Sequence, residues 1–533
     1  MSGFTGTSSL LRLASRRDRL LIPVSVLALV AFAAGSAKAT VDLYPTLSSA
    51  LEIFRPIIDN PATVALYGPV TSLDLDSFAV FKTVLLGGVF VCLLAYIVVR
   101  RHTRTEEEAG RLELLGAGAV ERRAPLTAAV VLATGAVLAA AVLSALSLAS
   151  VGLDGKGSVA FAASWTVMGL SWVGITAVAA QLTETTRGTA AISLGALGVA
   201  FLLRAVGDTA AADSPVRLLV WLSPLGWGER VSPYGANDLR PLLLGVAAFV
   251  ALVATAFWLR ERRDLGAGLL PSRPGRTRGS MRTVGALTAR LARGTLLGWA
   301  VSAVMLGAVV GSIASNVESM DSSASTRDLL LKLARVANPD VTMTDLFFAT
   351  ELHVVAFAVA AMGISIVTRL HSEETALRAE SLLATGVTRT RWAVSHLVVA
   401  LLSTAVVMAL VGLAAGGAVA TTTGDTGSLG RLVGAALVMV PAIWVCVAVA
   451  MLLVGAVPAQ TGLAWVVLIV FLLFGELVQI LGLPSWLNDL SPFGHVPSMP
   501  ADELRVLPLV LLTAVAAVVA GAGVWALRRR DIG

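Results

Sequence analysis

The pentapeptide RRDLG at residues 262–266 returns as RRDIG at residues 529–533, each time directly after a long apolar run. The same spacing of 267 residues carries Glu107 and Arg111 onto Glu374 and Arg378. After a one-residue insertion, Leu114, Leu115 and Gly118 recur as Leu382, Leu383 and Gly386. Ser223-Pro224-Leu225-Gly226 recurs as Ser491-Pro492-Phe493-Gly494, and Asn60-Pro61 has a counterpart in Asn338-Pro339. Self-similarity at a fixed long period describes architecture. The chain reads as a tandem duplication.

What is duplicated follows from composition. Of 533 residues, 56% are hydrophobic and 14% charged, with a mean hydropathy of +0.83, more apolar surface than a soluble core can hide. Apolar runs long enough to cross a bilayer as helices lie near 20–40, 78–99, 126–151, 158–182, 189–206 and 241–259. A second set lies near 295–314, 348–368, 393–420, 429–456, 462–481 and 506–527. The expected fold is an all-α integral membrane protein of about 12 transmembrane helices. Its expected organisation is a first six-helix half at 1–264, a basic linker and lead helix at 265–294, and a second six-helix half at 295–533. An even number of spans per half gives a parallel repeat about an axis along the membrane normal, with a pathway expected between the halves.

Arginine sets the expected orientation, because loops rich in Lys and Arg stay in the cytoplasm. Arg12, Arg16, Arg17 and Arg19, the group from Arg100 to Arg123, the cluster from Arg260 to Arg293, Arg369 to Arg391, and Arg528 to Arg530 all fall on one side. The expectation is a multi-pass protein of a bacterial plasma membrane with both termini cytoplasmic. The basic lead, apolar run and Ser36-Ala37-Lys38-Ala39 imitate a cleavable signal peptide. Yet residues 287–310 repeat that pattern mid-chain, LTARLARGTLLGWAVSAVMLGAVV, which argues that the first span is its retained counterpart. Cys92 and Cys446 fall within spans at non-equivalent places and read as packing residues, and no metal site is expected.

Between the second and third spans of each half stands a dense acidic stretch, EEEAGRLELLGAG at 106–118 and EETALRAESLLATG at 373–386. Glu107 with Arg111, and Glu374 with Arg378, have the (i, i+4) spacing that supports a helix, and Gly118 and Gly386 suit helix ends. A helix lying on an anionic inner leaflet should be basic on its polar face, so Glu106, Glu107, Glu108 and Glu113 fit a protein-docking surface better. An acid-dense short helix here, followed by an Arg-rich turn (Arg122-Arg123, or Arg389-Thr390-Arg391-Trp392), resembles the coupling helix of ABC-2-type exporter permeases. The fused chain of two halves is similar to the actinobacterial antibiotic and multidrug exporter permeases of the tetronasin-transport type.

That resemblance implies two copies of a separate ABC ATPase, which holds ATP and Mg, no cofactor in this chain, and ATP-driven alternating access that moves hydrophobic or amphipathic drug-like molecules outward. It places Glu107, Glu108, Arg111, Glu113, Leu114 and Leu115 on one ATPase copy, and Glu373, Glu374, Arg378, Glu380, Leu382 and Leu383 on the other. Leu377 stands where the first copy has Gly110, which sets the second docking stretch apart. In the resembled family the Ser223, Pro224, Gly226 and Ser491, Pro492, Gly494 stretches form short re-entrant helices that cap the exit; an interfacial aromatic belt with Trp221, Trp227 and Trp486 is the plainer reading.

The chain itself has no phosphate-binding loop. Gly155-Lys156-Gly157-Ser158 lacks the G-x-x-x-x-G-K-[ST] spacing and reads as a tight turn. Asp208 and Glu476 correspond across the halves and are candidates for an acidic pair at the outer mouth, against local pairing at the interface. Trp165, Met168 and Trp172, with Met439 and Trp444, are candidates for an adaptable apolar substrate cleft, against ordinary packing. An ion-coupled carrier of twelve spans is the alternative, although no acid, histidine or broken helix at mid-membrane is evident. A membrane enzyme is not favoured, since the five histidines lack metal-ligand spacing and no G-x-S-x-G elbow occurs.

Overall fold

The computed structural model describes residues 4–58, 61–70, 72–116, 118, 120–211, 213–270, 283–317, 341–480 and 485–530. Every regular element among them is helical. The chain divides into two units, Met1–Gly275 and Arg276–Gly533.

The first unit opens with a short helix, Thr7–Arg17, followed by six spans: Leu21–Leu43, Leu75–His102, Ala124–Ser150, Gly155–Leu182, Thr186–Thr209 and Arg240–Glu261. The fourth span is its central post, with Trp165, Met168 and Trp172 fully buried. Glycines in the second span make room for that post. A Cβ on Gly87 would stand 2.2 Å from the Trp165 ring, and one on Gly88 would stand 2.0 Å from the Met168 sulfur. Asp154 caps the post by accepting from the Gly157 amide at 2.8 Å. Gly155 to Ser158, read as a tight turn, are thus the first turn of the fourth span, because that cap carries the helix back to Gly155. Two small helices, Leu47–Ile58 and Pro61–Tyr67, follow the first span.

The second unit repeats the order with Val284–Val317, Met343–Thr375, Arg389–Thr423, a fourth span in two pieces (Gly427–Val438 and Val440–Ala456), Leu463–Ile480 and Val506–Arg529. Pro441 has no N–H to return to the preceding turn. The backbone there tightens, with the Met439 amide donating to the Ala436 carbonyl at 3.3 Å. This interruption was not evident from the sequence. Small residues bring helices close, and a Cβ on Gly455 would lie 2.1 Å from the Gly523 carbonyl oxygen.

Eleven described helices are long and apolar enough to span a membrane. The expected twelfth is the helix Leu463–Ile480, whose described apolar part, Leu463–Phe474, is shorter. Cys92 and Cys446 are free and buried.

Candidate functional site

At the end of the second span the chain reverses through an elbow. In the first unit, Arg104–Glu108 and Arg111–Gly116 are separate helices that meet at Gly110, whose φ is +70°. In the second unit, Met343–Thr375 and Arg378–Leu383 meet at Leu377, with φ +57°. Equivalent positions therefore take the same left-handed conformation, free to glycine and costing leucine about 1–2 kcal/mol. The break overrides the expected single helix and its (i, i+4) pairs. Arg111 reaches Glu106 at 2.6 Å instead of Glu107.

Glu107 turns inward. Its carboxylate accepts from Arg260 at 2.6 Å and Arg263 at 2.7 Å, forms an ion pair with Arg104 at 2.8 Å, and its side chain is 3% exposed. Arg104 also donates to the Ala180 carbonyl at 2.6 Å, and Arg263 to Gln181 at 2.9 Å, so the elbow is fastened to the end of the fourth span. Arg122 closes the arrangement through the Arg263 carbonyl. The second unit keeps the same frame. Arg530 donates to both Glu374 oxygens at 2.7 Å, and Arg389 to the Arg530 carbonyl at 2.6 Å.

The two strongest repeats in the sequence, the acidic stretch and RRDLG/RRDIG, are thus partners of one another. Their signal was present: Glu107 to Arg263 and Glu374 to Arg530 are both separations of 156 residues, and Arg122 to Arg263 and Arg389 to Arg530 both of 141. Arg262 stacks over Trp258 at 3.8 Å and Arg529 over Trp525 at 3.9 Å, which extends the repeat to the ends of the sixth and last spans.

A buried, triply paired Glu107 cannot serve as a docking contact, and its expected role is corrected to holding the elbow. Glu374 is part-buried and plays the same role. Glu106 joins Arg17 of the helix Thr7–Arg17, while Glu373 joins Arg369 at 2.9 Å, and Arg369 reaches the Leu291 carbonyl of the helix Val284–Val317 at 3.0 Å. Glu108 accepts from the Thr186 amide at 2.8 Å. Exposed at the elbows are Glu108, Arg111 and Glu113 in the first unit, and Leu377, Arg378 and Glu380 in the second. Leu382 and Leu383 are half-buried; the side chains of Leu114 and Leu115 lie outside the described residues.

At the opposite end, each Ser-Pro-x-Gly stretch starts a short helix, Pro224–Glu229 and Pro492–His495. The Ser223 hydroxyl donates to the Ala200 carbonyl at 2.8 Å and Ser491 to the Phe471 carbonyl at 3.0 Å, tying each loop to the span before it. Pro224 and Pro492 occupy first helical turns, where a missing N–H costs nothing. Gly226 and Gly494 are required by close approach, since a Cβ would lie 2.4 Å from the Val220 carbonyl oxygen or 2.5 Å from that of Asn488. Leu225 and Phe493 point into the bundle and are fully buried.

Asp208 does not stand free at a mouth. It is buried against Arg230 at 2.9 Å and Arg204 at 3.9 Å, with Glu229 beside them. The loop that follows holds Ser232, Tyr234 and Asn237 at positive φ, fixed by the Tyr234 hydroxyl 2.8 Å from that of Ser158. The side chain of Glu476 lies outside the described residues. Trp165, Met168, Trp172 and Met439 are fully buried core residues. Trp444 is half-buried and donates to the Leu401 carbonyl at 3.2 Å. Close helix contact fills the space that a cleft along these side chains would need.

Residues 281–528 match the family described as Multidrug efflux system permease Rv1217c, C-terminal domain. Over 539 aligned positions the chain is 39% identical to the multidrug efflux system permease protein Rv1217c of Mycobacterium tuberculosis (strain ATCC 25618 / H37Rv), covering 100% of this chain and 96% of the relative. Two helical units, each with the same elbow and the same capped loop, stand beside a likeness that runs the whole length of the sequence. The chain belongs to the family of multidrug efflux system permeases.

Proposed function

We propose that this chain is the membrane subunit of an ATP-driven exporter that carries hydrophobic or amphipathic drug-like molecules out of the cell by alternating access. Two copies of a separate ABC ATPase bind ATP and Mg and press on the two elbows, which face the cytoplasm together with both termini. The observation that carries this reading is the repeated lock, Glu107 with Arg263 and Glu374 with Arg530, each joining an elbow to the foot of the last span of its unit. A push on such an elbow is delivered to a spanning helix rather than absorbed by a loose loop. Support also comes from the relative, a permease protein of a multidrug efflux system.

Glu113 and Glu380 occupy equivalent, exposed positions on the elbows, outside the locks. Glu113→Lys combined with Glu380→Lys is expected to separate ATP hydrolysis from drug export in reconstituted vesicles, with the fold intact. Wild-type export by the double variant would remove the docking assignment.

A further inference from the structure

We propose that Glu229 is a proton-binding site, peculiar to the first unit, whose occupancy decides whether the helix Pro61–Tyr67 stays tied across the end of the bundle. Glu229 is 6% exposed, no N–H group donates to either carboxyl oxygen within hydrogen-bond distance, and the Asp208 carboxylate stands beside it as the acceptor for a proton on Glu229. The carboxyl lines a cavity of about 20 Å³ shared with Tyr67, Ser77, Phe81 and Pro233. That volume suits a single water, enough to carry a proton and too small for a drug. Gly68 closes over the carboxyl, for a Cβ there would stand 2.3 Å from Oε1.

The charged groups facing Glu229 are few. The fifth span brings Arg204 and Asp208, and Arg230 follows Glu229 in the chain. The second span contributes Ser77, Val80, Phe81 and Val84 to the cavity wall, none of them charged. The Pro61–Tyr67 helix offers backbone carbonyls. Arg204 donates to Val64 O at 3.0 Å and to Ala65 O, and that same Arg204 lies 3.5 Å from Glu229. Arg230 is committed to Asp208 at 2.9 Å.

The two states of Glu229 therefore make different demands. As a neutral acid it leaves Arg204 on the two carbonyls, and the helix is held. As a carboxylate in a buried place it requires a cationic partner, and Arg204 is the one within reach. Drawing Arg204 across removes the donor from Val64 and Ala65 and frees the helix. Burial pushes the Glu229 carboxyl well above its ordinary range, against the pull of Arg204 and with the Asp208 carboxylate adding to it, which favours the neutral acid. The arrangement seen, with Arg204 on the two carbonyls, is the held one. At the spacing of the Ser-Pro-x-Gly repeat, the second unit has Leu472, Pro497 and Ser498 where the first has Arg204, Glu229 and Arg230. The device belongs to one half.

The test is hydrogen exchange of the Val64 to Gly68 amides in the purified full-length chain in lipid nanodiscs, without any ATPase, so that its outcome is independent of the coupling proposal. After correction for intrinsic exchange with an unstructured peptide, wild type is expected to exchange roughly tenfold faster at alkaline than at acid pH, the effect of losing one or two hydrogen bonds. Glu229→Gln, a permanently neutral side chain, is expected to stay at the slow rate throughout. A flat wild-type profile, or the same pH response in Glu229→Gln, would overturn the proposal. Should that variant fail to accumulate, infrared spectra of the wild type decide. A carboxylic-acid band that fades in step with faster exchange supports the site, and no such band at neutral pH overturns it.

Discussion

At the first elbow Glu107 meets Arg104, Arg260 and Arg263 with its side chain 3% exposed; at the second, Glu374 meets Arg530 with its side chain 11% exposed. At the repeat spacing, Arg104 and Arg260 are replaced by His371 and Leu527. The shared pair and the shared arginine-to-carbonyl bond are what the elbow needs in order to form. The two extra guanidiniums fix the first elbow and leave the second more lightly held. A duplicated fold thus carries two elbows of one shape and unequal stiffness.

The largest expected effect is Glu107→Ala, which strands three buried guanidiniums and should cost about 3–5 kcal/mol. Glu374→Ala should cost about 1 kcal/mol, nearer the value of a partly exposed pair. Thermal unfolding of the two variants in one detergent measures the gap, and equal losses would end the claim of unequal stiffness. Next comes Arg260→Leu, which imitates Leu527 and removes one charged hydrogen bond of three, an expected loss of about 1.5–3 kcal/mol. A loss matching that of Glu107→Ala would mean the three arginines act as one unit.

The opposite ends of the units differ as well, and pH exposes that difference. The Glu229 carboxyl titrates higher when folded than its unfolded value of about 4.3, so the folded chain binds more protons between the two values. Stability contributed there falls as pH rises through that window. Unfolding temperatures of wild type and Glu229→Gln across acid to neutral pH should diverge, with the variant showing the flatter slope. The last effect concerns the elbow breaks. Gly110→Leu should cost about 1–2 kcal/mol and Leu377→Gly should gain up to about 1 kcal/mol, because both positions are left-handed. A destabilised Leu377→Gly would show that the exposed leucine makes contacts that outweigh its strain.

The spans were legible because apolar length is a local property, and the elbows because they are written twice. The break within each elbow was not. Leu377 is a strong helix former by propensity, and the (i, i+4) acid and base pairs argued for continuity, so local signals pointed away from the reversal that the ion-paired Glu107 and Glu374 impose. The partners of those acids lie 156 residues away, beyond any periodicity. The aromatic and methionine residues of the fourth span read equally as cleft or core, and only the glycines opposite them, Gly87 and Gly88, decide for core.

Docking of an ATPase on the elbows is tested by gentle purification of the chain from its own membrane, in wild-type form and as Glu113→Lys/Glu380→Lys, with the accompanying subunits counted by mass spectrometry. Two like seats should bring about two copies of a nucleotide-binding subunit with each wild-type chain, and the variant should lose them while its unfolding temperature stays unchanged. Reproducible absence of such a subunit from the folded wild-type chain, or full retention by the variant, would contradict the assignment of the elbows as ATPase seats.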